Sequence, residues 1–475
     1  MERKMGLMAL MATGICSMIG ASINVVPFMI QKNIPGIGPF VLPAFLLAAI
    51  PAILAGLAYS KLSKAMPRSG GSYIYASRGL HPYLGFIASF SQWFGLSIVI
   101  GVVAYVTIPF LRDVAHELEW INVEKNLEKG IIRVGIAFSL VWFFVWVNIK
   151  GIKTYERIVI PLLILMFISG GIVIMTGFWF TQEEYAIAAN ITLNNYEDSI
   201  PFNWMTYLSA GTLLFASFIG FDSIAQAGGE AKNPNKKLPL AIGLTILIVG
   251  LYYLSFTFSV YRIIPWQYIA EQSLLKDISA PGLLSALLPE WINIIIIGGA
   301  AIALMNDLPA MLLSVSRMIF AWGKDGIFPA KLGEINPLTG TPHTAIIWSG
   351  IIASIGILGS HFAGDFFLGI DIMVTSMMVN FLMMCLTLLT IQKVNPEISK
   401  QISPQTGNKF IGWSGVFVLT VFLIIHTIKD FTSEGIPSTP FWLLAMVIGS
   451  FIYFLHYYKI KNSGKDFNKI FKELP

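Results

Sequence analysis

The sequence predicts an all-α polytopic membrane protein with twelve transmembrane helices. Three observations carry this. Charged residues make up only 12% of the 475-residue chain and hydrophobic residues 55%, with a mean hydropathy of +0.72, whereas a soluble domain carries roughly 25% charged residues. Apolar runs of about 20 residues, the length of one bilayer crossing, recur along the chain with no polar domain between them. The lysines and arginines cluster in alternate connections between those runs.

The first run, 6–31, follows Arg3 and Lys4 and ends at Lys32. It exceeds the roughly 7–15 residues of a secretory signal core and reads as a retained helix. The second, 39–63, leads into a basic connection with Lys61, Lys64, Arg68 and Arg78. Spans 83–110 and 131–149 flank a polar loop, and Lys150, Lys153 and Arg157 introduce the fifth, 157–180. The sixth, 203–230, runs into Glu230-Ala231-Lys232-Asn233-Pro234. Spans 238–261, 291–320, 343–361, 366–391, 411–428 and 440–458 complete the set, and a basic tail at 459–475 reads as a solvated or lipid-facing end.

Twelve crossings place both termini on one side. That side holds 23 of the 31 basic residues and the other side 8, so the positive-inside rule makes both termini cytoplasmic. The expected location is the plasma membrane. The net charge of +5 is therefore topological and marks no nucleic-acid surface. Two cysteines, Cys16 and Cys385, lie in apolar runs, and the six histidines form no metal-ligand spacing. No metal, cofactor or required protein partner is expected, and no convergent set of side chains supports an enzyme.

Two spans break alike. The first reads Gly14-Ile15-Cys16-Ser17-Met18-Ile19-Gly20-Ala21-Ser22-Ile23, and the sixth reads Phe215-Ala216-Ser217-Phe218-Ile219-Gly220-Phe221-Asp222-Ser223. In hydrocarbon a broken helix leaves N–H and C=O groups unpaired, at several kcal/mol each, unless something else binds them. A matched pair of breaks, one in each half, points to a transporter substrate site. The N–H groups of a following half-helix suit a carboxylate. The carbonyls of a preceding half-helix suit an ammonium group or a cation. A zwitterion needs both. The competing explanation is that small residues permit close helix packing.

Carboxylates inside spans are costly and functional by default. Asp222 follows the second break directly, and Asp307 lies midway along the eighth span. Arg317 is ten residues on, about 15 Å along a helix, too far to pair with Asp307 within that helix. A carboxylate buried away from cations is suited to carry a proton or to hold a monovalent cation. The alternatives for Asp307 are a structural bond to Asn306, a helix break at Pro309, or water. Glu230 reads either as an interfacial charge or as a residue that bonds loop backbone and fixes an inner gate. Phe215 and Phe218 flank the second break as candidate gate aromatics.

The motifs resemble the amino acid–polyamine–organocation (APC) superfamily over nearly the whole chain. The first break is similar to its Gly-x-x-x-x-Ile-Gly-Ser-Gly-Ile pattern, and Pro67-Arg68-Ser69-Gly70-Gly71-Ser72-Tyr73-Ile74-Tyr75 to its Pro-Arg-x-Gly-Gly-x-Tyr-x-Tyr signature. Phe218-Ile219-Gly220-Phe221-Asp222 with Glu230 resembles the sixth-helix motif. Ser316-Arg317 through Lys324-Asp325-Gly326-Ile327-Phe328-Pro329, with Gly340-Thr341-Pro342-His343, resembles the eighth-to-ninth connection.

The resemblance implies a LeuT-type fold of two inverted five-helix repeats plus two additional helices. Residues 1–180 would form the first repeat, 203–391 the second, 411–458 the extra pair and 459–475 a cytoplasmic tail. It implies an amino acid substrate at Ile19, Gly20, Ala21, Ser22 and Ile23 and at Phe215, Ala216, Ser217, Phe218, Ile219 and Gly220. Backbone at Gly20–Ser22 would hold the carboxylate, and backbone at Ala216–Ile219 the amino group and side chain. Asp222, Glu230 and Asp307 are the gating or coupling candidates.

Three positions depart from the pattern. Ser22 replaces a glycine. Ala216 stands where some relatives carry a gating tryptophan. Met166 stands where proton-coupled relatives carry a lysine, and a thioether cannot carry a proton. The expected function is secondary amino acid transport by alternating access, as an exchanger or as a proton symporter through Asp307 or Asp222. The alternatives are an amino-acid-binding sensor or channel, and a polyamine or other organic cation as substrate.

Overall fold

The structure is a computed structural model that describes residues 3–192, 200–363, 366–402, 405–433, 435–462 and 471–474. It is almost wholly helical, with no strand among the described residues. The elements that matter here are α1 (Leu7–Met18), α2 (Ala21–Asn33), α3 (Val41–Ala65), α4 (Gly71–Gly79), α5 (Pro82–Glu117), α6 (Gly130–Lys150) and α7 (Ile152–Trp179). They continue with α8 (Trp204–Leu214), α9 (Asp222–Gln226), α10 (Pro234–Ile263), α11 (Glu290–Lys324), α12 (His343–Ala363), α13 (Phe366–Val394), α14 (Gln405–Thr432) and α15 (Thr439–Asn462).

Among the described residues eleven helical stretches are long and apolar enough to cross a membrane, taking α1 and α2 together. The expected sixth span is the exception. It divides into α8, a 3₁₀ turn at Phe215–Phe218 and the short α9, so no continuous helix covers it. Two adjoining spans are separated by Gly151, whose φ of 100° turns the chain between α6 and α7. This is a backbone conformation that glycine adopts at little cost. That turn starts the fifth span at Ile152, five residues before the sequence pattern placed it.

The long helices α5 and α11 lie against each other at the centre, and α13 packs on α5. Their middle stretches are buried while α6, α7, α14 and α15 expose large apolar side chains such as Trp146, Ile164, Phe417 and Phe451. In water such a surface would be unfavourable; facing lipid tails it is not.

The side bearing the termini is tightly sealed. Met5 pairs with the 230–232 backbone on both its N–H and its C=O, at 2.8 and 2.9 Å. Gly71 lies against the Ala225 backbone so closely that a Cβ would not fit. The end of the tail is exposed at Lys472 and Glu473, as the sequence pattern indicated, but it docks back on the protein at Phe471. Phe471 is buried beneath the Arg78 guanidinium, 5.2 Å from ring centroid to Cζ. Asn395 and Arg78 donate to the Lys472 and Glu473 carbonyls at 3.0 and 3.3 Å. An apolar ring under a planar cation offsets the usual preference of a basic tail for water.

Candidate substrate site

The two breaks meet. Ile19 N–H makes the last helical bond of α1, to the Ile15 carbonyl at 2.8 Å. Gly20 then leaves the helical region at φ −115° and ψ −128°, and α2 begins at Ala21 with no side chain capping its amides. At the second break Gly220 has φ +133° and sits directly on the Ser17 carbonyl and the Met18 amide of α1. Any side chain at 220 would both strain the backbone and collide with that backbone, so glycine is required twice over.

The groups freed by the breaks are partly served by protein. Tyr253 on α10 donates its hydroxyl to the Met18 carbonyl at 2.9 Å. The Ser223 hydroxyl donates to the Gly220 carbonyl at 2.6 Å. These bonds are the internal partners that a bilayer demands of irregular backbone.

Between the breaks lies a small cavity of about 20 Å³, lined by Ser17, Ala216, Ile219 and Asp307 together with Val102, Val103 and Met373. It has room for a single water. One turn along α5 and α13, Val106 and Phe367 line a second, much larger cavity of about 820 Å³ on the side away from the termini. Its walls carry Lys32, Arg112, Arg133 and Lys276 against Asp113 and Asp277. Arg133 lies over the Tyr105 ring at 3.8 Å, and the Tyr105 hydroxyl bonds His361 Nδ1 at 2.9 Å.

Asp307 faces the first break. Its Oδ2 lies where a Cβ on residue 20 would stand. The residue is 4% exposed, and Oδ1 meets no hydrogen-bond donor among the described residues. Asn306 does not serve it: that amide donates to Cys16 Sγ at 3.0 Å and to the Val159 carbonyl at 3.2 Å. Nor does Pro309 break the helix, since α11 runs through it and Asn148 binds its carbonyl at 3.2 Å.

Asp222 is placed differently. One oxygen accepts from Gln92 Nε2 and the other from the Gly220 N–H at 3.2 Å. Gln92 Oε1 in turn accepts from Ser72, Gln226 and Asn380 at 2.6, 3.1 and 3.2 Å. Tyr59 closes the network onto Ser72 at 2.6 Å and Asn380 at 2.7 Å. The buried Gln92 amide thus joins α5 to α4, α9 and α13, and Tyr59 adds α3 through Ser72 and Asn380.

Glu230 is not an interfacial charge, and its carboxylate bonds a side chain, not loop backbone. It accepts from Arg317 Nη2 at 2.7 Å and Nε at 3.1 Å, with both side chains 1% exposed. A second buried pair joins Arg78 to Asp325 at 2.5 and 2.9 Å, with the Tyr73 hydroxyl on the same carboxylate at 2.6 Å. Burial by itself would lower the Arg78 pKa, but the bonds and charge of Asp325 more than offset this and hold it above its ordinary value.

The remaining expected residues are buried. Phe215 packs against Phe381 and Phe422, at centroid distances of 5.9 and 6.4 Å. Phe218 packs toward Tyr253 at 6.3 Å. Neither ring lines the cavity between the breaks. Ile19 and Ile23 are buried, and the Ser217 hydroxyl has no partner among the described residues. The side chains of Ala21 and Ser22 lie outside the described part of the structure. Sequence reasoning missed Ser17, Gln92 and the valines of α5. Gln92 was detectable as a polar residue in mid-span. The valines look like any other apolar helix positions.

The sequence profile of the amino acid permease family matches residues 5–458. The chain belongs to this family. It is thus a multi-pass membrane protein of a transporter family and not an enzyme. It is 24% identical over 464 residues to the branched-chain amino acid permease BcaP of Bacillus subtilis, covering 96% of this chain and 93% of that protein. It is 23% identical over 487 residues to the glutamate/serine transporter AimA of the same organism, covering 99% and 84%. Against the cationic amino acid transporter 4 of mouse it is 24% identical over 374 residues, covering 75% of this permease and 55% of the relative. The named substrates of these relatives differ widely.

Proposed function

We propose that this permease is a secondary transporter that carries amino acids across the plasma membrane by alternating access, with both termini cytoplasmic. The observation that carries this reading is the contact of Gly220 with the Ser17 carbonyl. It brings two helix interruptions, one in each half of the chain, to one buried place.

On this reading the backbone at Ile19, Gly20, Ala21, Ser22 and Ile23 receives the substrate carboxylate. The backbone from Phe215 through Ala216, Ser217, Phe218 and Ile219 to Gly220 receives the amino group and side chain. The two inverted repeats are residues 1–180 and 203–391, with 411–458 as the extra pair and 459–475 as the tail. The large cavity on the far side from the termini supports an outward approach. The Glu230–Arg317 and Arg78–Asp325 pairs act as the cytoplasmic gate. An amino acid does not fit a cavity of about 20 Å³, so its entry requires Ile219 and Ala216 to separate from Val102 and Val103. Asp222 and Asp307 are the carboxylates available for coupling, and transport runs as exchange or as proton symport.

The test is uptake of labelled leucine, glutamate, serine and arginine into proteoliposomes, with and without internal amino acid and a pH gradient. Uptake that needs internal substrate indicates exchange. Uptake that follows the pH gradient indicates symport. Binding of amino acids without uptake under any of these conditions removes the transporter reading in favour of a sensor.

A further inference from the structure

Asp307 stands in the wrong place for a simple amino acid site. The amides that open α2 invite a carboxylate, yet Asp307 Oδ2 lies against Gly20, the residue before the first of those amides. A substrate carboxylate held there would have a second carboxylate as its neighbour, in an almost dry space walled by Val99, Val102, Ile219 and Met311. Two close carboxylates in a dry site do not both stay ionised.

No nearby cation relieves the conflict. Among the described residues, α1 presents the Cys16 thiol to Asp307, and α7 meets α11 beside it through the Val159 carbonyl, which Asn306 holds; the Tyr155 hydroxyl of α7 is bonded to Thr13. The turn at α9 carries Asp222, which faces Gln92. Arg317, on Asp307's own helix, is engaged by Glu230. The facing part of α5 is valine, and α6 reaches α11 at this level with the amide of Asn148. A metal ion such as calcium or magnesium gathers about six or more oxygens, and no cluster of three His, Cys, Asp or Glu exists among the described residues.

We propose that Asp307 is the proton site of this permease and that the proton is shared with the substrate carboxylate. This deepens, and rests on, the amino acid reading above. In the free protein Asp307 exchanges its proton with water. When an amino acid binds, one O–H bond forms on Asp307 at the expense of a buffer acid, and that hydroxyl donates to the substrate carboxylate beside Gly20. Substrate and proton therefore bind together. The carboxylate, not the side chain, is what the coupling recognises, so amino acids of different side chains share it. No lysine on α7 is needed.

The sign follows from linkage. A neighbouring carboxylate makes Asp307 hold its proton more tightly in the bound state than in the free state. Affinity is fully present below the free-state pKa. It falls by about tenfold per pH unit above that, until the bound-state pKa is passed.

The experiment is titration calorimetry of the purified full chain with leucine, glutamate, serine and arginine, in buffers of different ionisation heat and across pH. The expected result is uptake of about one proton per amino acid in the falling part of the profile, unchanged when sodium is replaced by choline. Asp307→Asn should bind with no proton uptake and no pH dependence, because the amide N–H₂ replaces the carboxyl O–H as donor. Binding without proton uptake at any pH overturns the proposal while leaving the transporter reading intact, as does a strict requirement for sodium. Tight binding of putrescine with proton release also overturns it, since an ionised Asp307 would then be the anion for an organic cation. If none of the four amino acids binds, the underlying reading fails and the proposal with it. The wild-type proton count decides the matter even if Asp307→Asn does not fold.

Discussion

Arg317 of α11 holds Glu230 at 2.7 Å, with both side chains sealed from solvent. The pair ties the segment after the second break to the central helix, on the side that also buries Met5 and Phe471. A buried ion pair adds little net stability compared with apolar replacements, but losing one partner is costly.

Glu230→Gln should therefore destabilise the protein by roughly 3–5 kcal/mol, because the Arg317 charge stays buried without its counter-ion. The double variant Glu230→Leu, Arg317→Met should regain much of that loss in thermal unfolding. It should still open the terminus side, read as faster labelling of a cysteine placed at Ser69. Equal stability of single and double variants would mean that the pair is not coupled.

Gly220→Ala combines a left-handed backbone position with a collision against the Ser17 carbonyl. It should lower stability by about 1–3 kcal/mol, the usual cost of one strained residue, and abolish uptake by forcing the breaks apart. Near-normal uptake by this variant would show that the contact is incidental.

Gly20→Leu should leave a folded protein that binds no amino acid, since its Cβ already meets the Asp307 carboxylate. The check is substrate binding alongside size-exclusion behaviour. Normal affinity would remove the first break from the site.

Gln92→Leu should be more damaging than a typical buried substitution. It takes the donor from one Asp222 oxygen, leaving that carboxylate only the Gly220 N–H on the other, and takes the shared acceptor from Ser72, Gln226 and Asn380. Each buried group left unpaired costs about 1–3 kcal/mol. Gln92→Glu should restore the acceptor but not the donor to Asp222, so it should repair only part of the loss in thermal unfolding.

The helices and both interruptions were legible in the sequence because hydropathy and Ile-Gly pairs are local signals. The α1–α2 interruption falls at Ile19–Gly20, inside the stretch the pattern marked. Long-range pairings left no such trace. Nothing local connects Glu230 with Arg317, or Gln92 with Asn380, since each pair joins residues far apart in the chain. Side-chain direction was equally hidden. Phe215 and Phe218 flank the break in sequence, yet the 3₁₀ turn points them at Phe381 and Tyr253. Asp307 was conspicuous as a charge in an apolar run, but its position against Gly20 is a property of packing alone.

The most direct measurement is a density map of this permease with a bound amino acid. The ligand should lie between Gly20 and Ile219, its carboxylate on the first amides of α2 and within hydrogen-bond reach of Asp307. A ligand found only in the large cavity beside Arg133 and Tyr105, with the breaks unoccupied, would contradict it.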